Sequence, residues 1–359
     1  MSTPASTSTR VAPTSAPRFA FDLPPALEAT EPPEARGLTR DAVRMLVARR
    51  DDTSLVHSTF ALLPTFLDPV DLVVVNTSGT IPAAVDAVAE DGTPLVIHLS
   101  TQLDAHRWVV EPRRRSGRST DRWFGPPPAQ HLTLCPDGTL DFEDPYGTAG
   151  RLWVAALDLP QPTLTWLAVH GRPIRYGYVE RPWPVSTYQN VYVTEPGSAE
   201  MPSAGRPFTP EVITRLVAKG VGVTPLVLHT GVASLEADEL PYPERVRVPA
   251  PTAERVNATH AAGHRVIAVG TTVARGLESA VDDHGVVWPL DDWTDLVITP
   301  ERGVHVIDGL LTGWHEPEAS HLLILEAVAG RELLRRSYDA SLAERYLWHE
   351  FGDVHLILR

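Results

Sequence analysis

Several things are scarce in this chain. It has one cysteine, Cys135, and one lysine, Lys219, among 359 residues. A single cysteine excludes a disulfide framework and any zinc site built on paired cysteines. No run of about 18 apolar residues occurs, which excludes a membrane-spanning helix. Positive charge is scarce too: 31 basic residues face 45 acidic ones, for a formal net charge of −14. A protein that coats nucleic acid indiscriminately needs the opposite balance, because neutralising phosphates takes clustered cations. A local basic site on an acidic body stays open. At roughly 150 residues per domain, the length suggests about two domains.

What is present changes along the chain. Residues 1–19 are mostly Ser, Thr, Pro and Ala, too polar to offset the entropy of ordering, so a disordered tail is expected. The segment lacks the apolar stretch of a secretory signal, so a cytoplasmic protein is expected. From 64 to 160 short β-like runs follow one another: DLVVVN, PLVIHL, RWVVE, HLTL, TLDF and RLWVAAL. Asp-Gly pairs at 91–92 and 137–138 mark tight turns, and the pattern suggests a small barrel or sandwich. After about 205 helix signals appear. Thr209 is placed to cap a helix with Pro210 at its first position and Gly220 at its stop. Strand VGVTPLVLH, helix TAERVNATHAAGH, strand RVIAVG and helix VARGLESAVDDHG then alternate. Such alternation predicts an α/β layer with parallel strands, carrying a β-rich module in the first half.

Familiar chemical signatures are missing. There is no Walker loop, no dinucleotide-binding glycine motif and no nucleophile elbow. His260 and His264 have the i, i+4 spacing of two ligands on a helix face but no adjacent third ligand, and His349-Glu350 with His355 fails the H-E-x-x-H spacing, so no metal is expected. The junctions after strands are more informative. Gly270-Thr271-Thr272 opens a helix carrying Arg275, Glu278 and Ser279, and its first-turn N–H groups suit an anion, although an ordinary capped junction has the same residues. His229 and Gly231 follow a strand at the position where open α/β sheets bind ligands, although a lone histidine there commonly just packs. Asp308, His315, Glu316, Glu318 and His321 form a carboxylate–imidazole cluster before a helix, suited to acid–base work or to capping. Tyr188, Gln189 and Tyr192 lie in a β-like stretch and would stack on and hydrogen-bond a purine-like ring, or form an amphipathic strand. Arginines 113, 114, 115, 118 and 122 make either a phosphate-binding patch or a solvated loop.

In order, TYQNVYV, MPSAGRPFTPE, LVLHTGVAS, RVIAVGTTVARGLESA, WTDLVITP, VIDGLLTGWHEPEASHLLILEAVAG and FGDVHLIL resemble the S-adenosylmethionine:tRNA ribosyltransferase-isomerase family of queuosine biosynthesis, over about residues 20–359. The upstream DLVVVNTSGTIPA is similar to that family's N-N-T-[RK]-V-[IL]-P-A segment. The resemblance implies an α/β fold whose larger domain, 20–63 and 161–359, carries a β-barrel-like domain inserted over 64–160. It implies transfer and isomerisation of the ribosyl part of S-adenosylmethionine onto 7-aminomethyl-7-deazaguanine in the anticodon loop of tRNA, releasing adenine and methionine. The co-substrate serves as the only cofactor, no metal or membrane takes part, and a monomer is expected. Carried across residue by residue, the catalytic candidates are His229, His315 and Asp308. Substrate contacts fall to Tyr188, Gln189, Tyr192, Ala204, Gly205, Phe208, Thr209, Gly231, Gly270, Thr271, Thr272, Arg275 and Glu278, with Arg275 matched to the methionine carboxylate or an RNA phosphate.

The chain also departs from the pattern. The basic residue of N-T-[RK] is absent at Ser78-Gly79, a family histidine is Pro207, and of the histidine pair with S-E only Glu244 aligns. N-F-H-x-P-x-S-T has become GWHEPEASH. A paralogue using another acceptor, or an inactive RNA-binding relative, are the alternatives.

Overall fold

Burial separates two kinds of strand in this computed structural model, which describes residues 19–117, 119–147, 149–232 and 241–359. Some are covered on both faces throughout; others alternate covered and exposed residues. In chain order come β1 (Arg44–Arg49), β2 (Leu55–Thr59), the short α1 (Leu63–Phe66), β3 (Leu72–Asn76) and β4 (Ser78–Thr80). Next are β5 (Ala84–Ala89), β6 (Pro94–Gln102), β7 (Arg107–Ser116), β8 (Ser119–Arg122), β9 (His131–Leu134), β10 (Thr139–Tyr146) and β11 (Leu152–Asp158). Then follow α2 (Thr163–His170), β12 (Glu195–Ser198), α3 (Pro210–Lys219), β13 (Gly222–Leu228), β14 (Glu244–Val248), α4 (Ala250–Ala261), β15 (Val266–Val269) and α5 (Thr271–Ser279). The last are β16 (Leu290–Thr294), β17 (Gly309–Gly313), α6 (His321–Ala329), α7 (Arg331–Ala343) and β18 (Val354–Leu358).

Strands covered on both faces, β3, β15, β17, β18 and β1, lie within a nine-stranded mixed sheet in the order β16-β14-β13-β3-β15-β17-β18-β1-β2, whose edge strands are partly exposed. Its centre is parallel, with β13, β3, β15 and β17 running the same way. Leu72, Val74, Leu226, Ala268 and Leu310 face one side, against Val256, Val273, Leu277, Leu325 and Leu334 of the helices. Val73, Val75, Ile267, Val269 and Leu311 face the other, against Phe60, Phe208 and the α3 residues Val212 and Leu216. Covering on both faces is why these strands read as continuous apolar runs.

A second set of strands closes on itself, with β9 and the start of β10 alternating covered and exposed residues and β6 and β7 buried along most of their length. The order β11-β10-β9-β5-β6-β7, with β7 paired back to β11, is a six-stranded antiparallel barrel, and β8 extends it as a hairpin off β7. Its lining includes Val85, Ile97, Trp108, Val110, Leu132, Leu140 and Phe142. The two Asp-Gly turns are present, with Gly92 at φ 85° and Gly138 at φ 114°.

Four expectations need correction. DLVVVN, placed in the barrel segment, is β3 at the heart of the large sheet, so strand pairing divides the chain near residue 81 rather than 64. All five residues of β3 are buried, and the strand pairs on one side with β13 and on the other with β15. Phe19, assigned to the tail, is 3% exposed and packs edge-on against Tyr338 at 5.2 Å; the rest of the tail lies outside the described residues. STYQNVYV is not a strand, since Val185–Tyr188 forms a 3-10 turn behind Pro184. The helix of VARGLESAVDDHG begins earlier, at Thr271, and stops at Ser279. Asp282 ends it by accepting the backbone N–H groups of His284 and Val286, both at 2.9 Å, a local competitor of helical bonding. The α3 signals hold: Thr209 Oγ1 accepts the Val212 N–H at 3.2 Å, and Gly220 closes the helix at φ 93°.

Candidate active site

The carboxyl ends of β13, β15 and β17 stop together, and the barrel is set over them. A cavity of about 260 Å³ lies between, lined from the sheet by Thr230, Gly231, Gly270, Thr271, Thr272, Thr312 and His315, and from the barrel by Ser100 and Thr101. Gly231 is the point of contact. A Cβ there would lie 2.6 Å from Ser100 Oγ and 3.0 Å from Thr101 Oγ1, so only glycine lets the two parts approach. The neighbouring Val232 N–H donates to Ser100 Oγ at 2.9 Å.

The floor is the start of α5. Gly270 turns the chain from β15 at φ 96°, and its N–H donates to Leu311 O at 2.7 Å. The N–H groups of a first helical turn have no intrahelical acceptor and face outward from the helix end, favouring an anion. One wall carries His315 and His321, whose rings stack at 4.6 Å with planes 5° apart. Thr312 Oγ1 holds His315 Nε2 at 2.9 Å. Burial, helped by neighbouring imidazoles, keeps His315 well below the ordinary histidine range, and burial takes His321 down to about 4. Both are therefore neutral near pH 7, and the burial that keeps them so also makes them weak bases.

A second wall comes from the far end of the chain. Tyr178 stacks on His349 at 3.9 Å and donates from its hydroxyl to Glu350 Oε2 at 2.6 Å. Glu316 Oε1 lies 3.8 Å from His349 Nδ1. Burial raises the carboxyls of Glu316 and Glu350 above the usual range. Among the described residues no group of three His, Cys, Asp or Glu is arranged to hold a metal ion.

Of the residues singled out in the sequence, Tyr188, Ala204, Gly231, Glu244, Gly270, Thr271, Thr272, Arg275, His315, Glu316, His321, His349 and Glu350 line the cavity. Arg275 is not free to grip a carboxylate. Its guanidinium donates to Leu296 O at 2.8 Å, to Tyr242 O and Thr294 O at 3.0 Å, and to Glu244, so it ties α5 to β14 and β16. The others lie elsewhere for identifiable reasons. Asp308 precedes β17, at the opposite end of the sheet, where it accepts the Val266 N–H at 2.9 Å and pairs with His260 at 3.3 Å. Five strand residues separate it from the cavity, roughly 15 Å, which removes it from proton transfer there. Glu278 is 2% exposed and fastens the following loop through the N–H groups of His305 and Val306, both at 2.8 Å. Gln189 completes the edge of β4 by exchanging hydrogen bonds with the Thr80 backbone at 3.1 and 2.7 Å. Tyr192 and Phe208 pack together at 5.6 Å, Gly205 is crowded by the Tyr192 hydroxyl, and Thr209 caps α3. Ser279 returns its hydroxyl to Arg275 O at 2.7 Å.

His229 sits beside the cavity with its ring turned away. Nδ1 is 2.7 Å from Ser78 Oγ, Nε2 is 3.5 Å from Glu195 Oε1, and Gly197 covers the ring face. The arginine patch is also divided. Arg113 is 8% exposed and bonded to Glu111 at 3.0 Å, Arg115 pairs with Asp86 at 2.7 Å, and Arg114 lies 4.0 Å over the Trp123 ring. Arg118 lies outside the described residues. The second wall was missed as a site. Its signal, His349-Glu350, stood in the sequence but invited comparison with a metal motif rather than with a distant Tyr178.

Fold and site together define a class: a mixed α/β sheet with a closed barrel laid over its ligand-binding end. The chain belongs to the queuosine biosynthesis protein family, whose model matches residues 16–357. It is 33% identical over 352 residues to the S-adenosylmethionine:tRNA ribosyltransferase-isomerase of Moorella thermoacetica, covering 95% of this chain and 98% of that one. It is 34% identical over 357 residues to the protein of the same name from Synechococcus elongatus, covering 95% of each. Among solved structures it is similar to an S-adenosylmethionine tRNA ribosyltransferase from Thermotoga maritima, with 27% identity, a TM-score of 0.52, and coverage of 95% of this chain and 99% of that one.

Proposed function

We propose that the protein transfers and isomerises the ribosyl portion of S-adenosylmethionine onto 7-aminomethyl-7-deazaguanine in the anticodon loop of tRNA. The products are epoxyqueuosine in tRNA, adenine and methionine. The observation that carries this reading is the match of almost the whole folded chain to one family, residues 16–357, with no large part left over for another task. The cavity supports it. The sulfonium acidifies the adjoining ribosyl carbon, and His315, neutral and held by Thr312, would take that proton as it develops in the closed site. The imidazolium so formed carries the proton that departing adenine needs. Gly270, Thr271 and Thr272, at the α5 start, would receive the methionine carboxylate.

The acidic body fits a substrate read at one exposed base rather than along a duplex. Arg114 over Trp123, next to Phe124 at 58% exposure, offers a cation–aromatic surface for unpaired bases. In this reading the protein works as a cytoplasmic monomer, without metal. The test is adenine release from S-adenosylmethionine, followed chromatographically with tRNA bearing the 7-aminomethyl base. Release that requires this tRNA is expected; release with the free nucleoside alone, or none, overturns the reading. His315→Gln is expected to lower turnover at least about 100-fold with an unchanged circular dichroism spectrum.

A further inference from the structure

The second wall of the cavity carries more negative charge than its surroundings neutralise. Glu28 Oε1 lies 3.5 Å from His349 Nε2, Glu316 Oε1 lies 3.8 Å from Nδ1, and Glu350 is bound by the Tyr178 hydroxyl at 2.6 Å. The three carboxyls also raise one another or the Tyr178 hydroxyl that joins them, so they share one local field. His349 does not neutralise them, because burial draws its imidazole down to about 4. Arg206, whose charge acts on Glu350, is bonded to Glu34 at 2.9 Å and Thr187 O at 3.0 Å. Arg122, which acts on Glu316 from the barrel, lies 4.0 Å from Glu111.

A separate observation points to a ligand. The His349 side chain is 6% exposed and lines the cavity, yet its Nε2 has no hydrogen-bond partner. A buried ring nitrogen left unbonded costs free energy unless something supplies the bond. Opposed carboxylates and an unbonded imidazole nitrogen call for a compact cation rich in N–H donors. A sulfonium has no N–H, whereas a primary ammonium has three.

We infer that Glu316, Glu350 and His349 form a subsite for a primary ammonium group. The inference deepens the proposed function and rests on it only for the carrier of that group. Both substrates bear one: the methionyl arm of S-adenosylmethionine, and the 7-aminomethyl substituent of the base. The subsite acts on binding and orientation, so its loss raises KM for one substrate more than it lowers kcat.

Calorimetry on the full chain tests this without requiring turnover. One arm compares S-adenosylmethionine with its desamino analogue; the other compares tRNA bearing the 7-aminomethyl base with tRNA bearing a 7-methyl base. Wild type is expected to bind the ammonium-bearing member of one pair at least tenfold tighter, and the pair that discriminates identifies the source. Glu350→Gln and Glu316→Gln, each verified as folded by circular dichroism, are expected to reduce that ratio toward one. A wild-type ratio near one in both pairs overturns the inference, as does a ratio unchanged in both variants. Failure of the proposed function shows differently, as wild type that releases no adenine with the modified tRNA while the binding ratios stay measurable.

Discussion

Two buried carboxylate clusters in this protein have opposite character. In the barrel, Glu111 is 1% exposed and meets Arg113 and Arg151 at 3.0 Å and His98 at 3.5 Å. Burial alone would raise its carboxyl, but the imidazole and the two guanidiniums outweigh that and pull it down to about 2. On the cavity wall, Glu316 and Glu350 stay above the usual range because burial dominates, with repulsion from Glu28 adding to it at Glu316. The first cluster is complete and holds strands together. The second is incomplete, and an incomplete buried charge set is where a ligand contributes binding energy.

The largest expected effect comes from breaking the complete cluster. Glu111→Gln leaves two buried guanidiniums without their shared carboxylate and is expected to cost about 3–5 kcal/mol by urea denaturation. Glu350→Gln, the same change on the incomplete side, should shift stability by less than about 1 kcal/mol or raise it. Equal losses at both positions would erase the distinction.

A buried group with no hydrogen-bond partner on its ring nitrogens gives the next effect. His355 is fully buried, stacks on Trp314 at 4.7 Å, and bonds through neither ring nitrogen. Burial takes it down to about 3, so between pH 6.5 and that value the unfolded chain binds a proton that the native state refuses. Stability therefore falls as pH drops through this window, by up to about 1.4 kcal/mol per unit. His355→Leu should flatten that slope between pH 6.5 and 4 in denaturation curves; an unchanged slope assigns the pH dependence to other histidines.

The smallest effect belongs to Asp308. Its pairing with His260 lies at the far end of the sheet, so Asp308→Asn should keep turnover within about twofold and cost about 1 kcal/mol of stability. A hundredfold loss of turnover would return it to the mechanism.

The residues that proved legible in advance were those whose role is local. Thr209, Pro210 and Gly220 mark the α3 ends, Gly270 marks the turn into α5, and His315 follows a strand end that stops at the cavity. Arg275, Glu278 and Gln189 misled because motif residues at a strand end serve structure as readily as ligands. Whether a guanidinium is free depends on carbonyls 19 to 33 residues away in sequence. His349 and Glu350 were visible as a pair, but their partner Tyr178 is about 170 residues distant, and no spacing rule spans that gap.

Composition and pattern alone determined that this is an acidic α/β chain with a β-rich module, without disulfides, and that its motifs match one family in order. Those properties follow from period, turn chemistry and residue type, which act over a few residues at a time. Only the tertiary structure decided which strands close the barrel and which cross the sheet, because pairing depends on what covers each face. It alone decided which charges are already matched and which still wait for a partner. That depends on burial and on distances between segments far apart in sequence, set only when the barrel settles over the ends of the sheet.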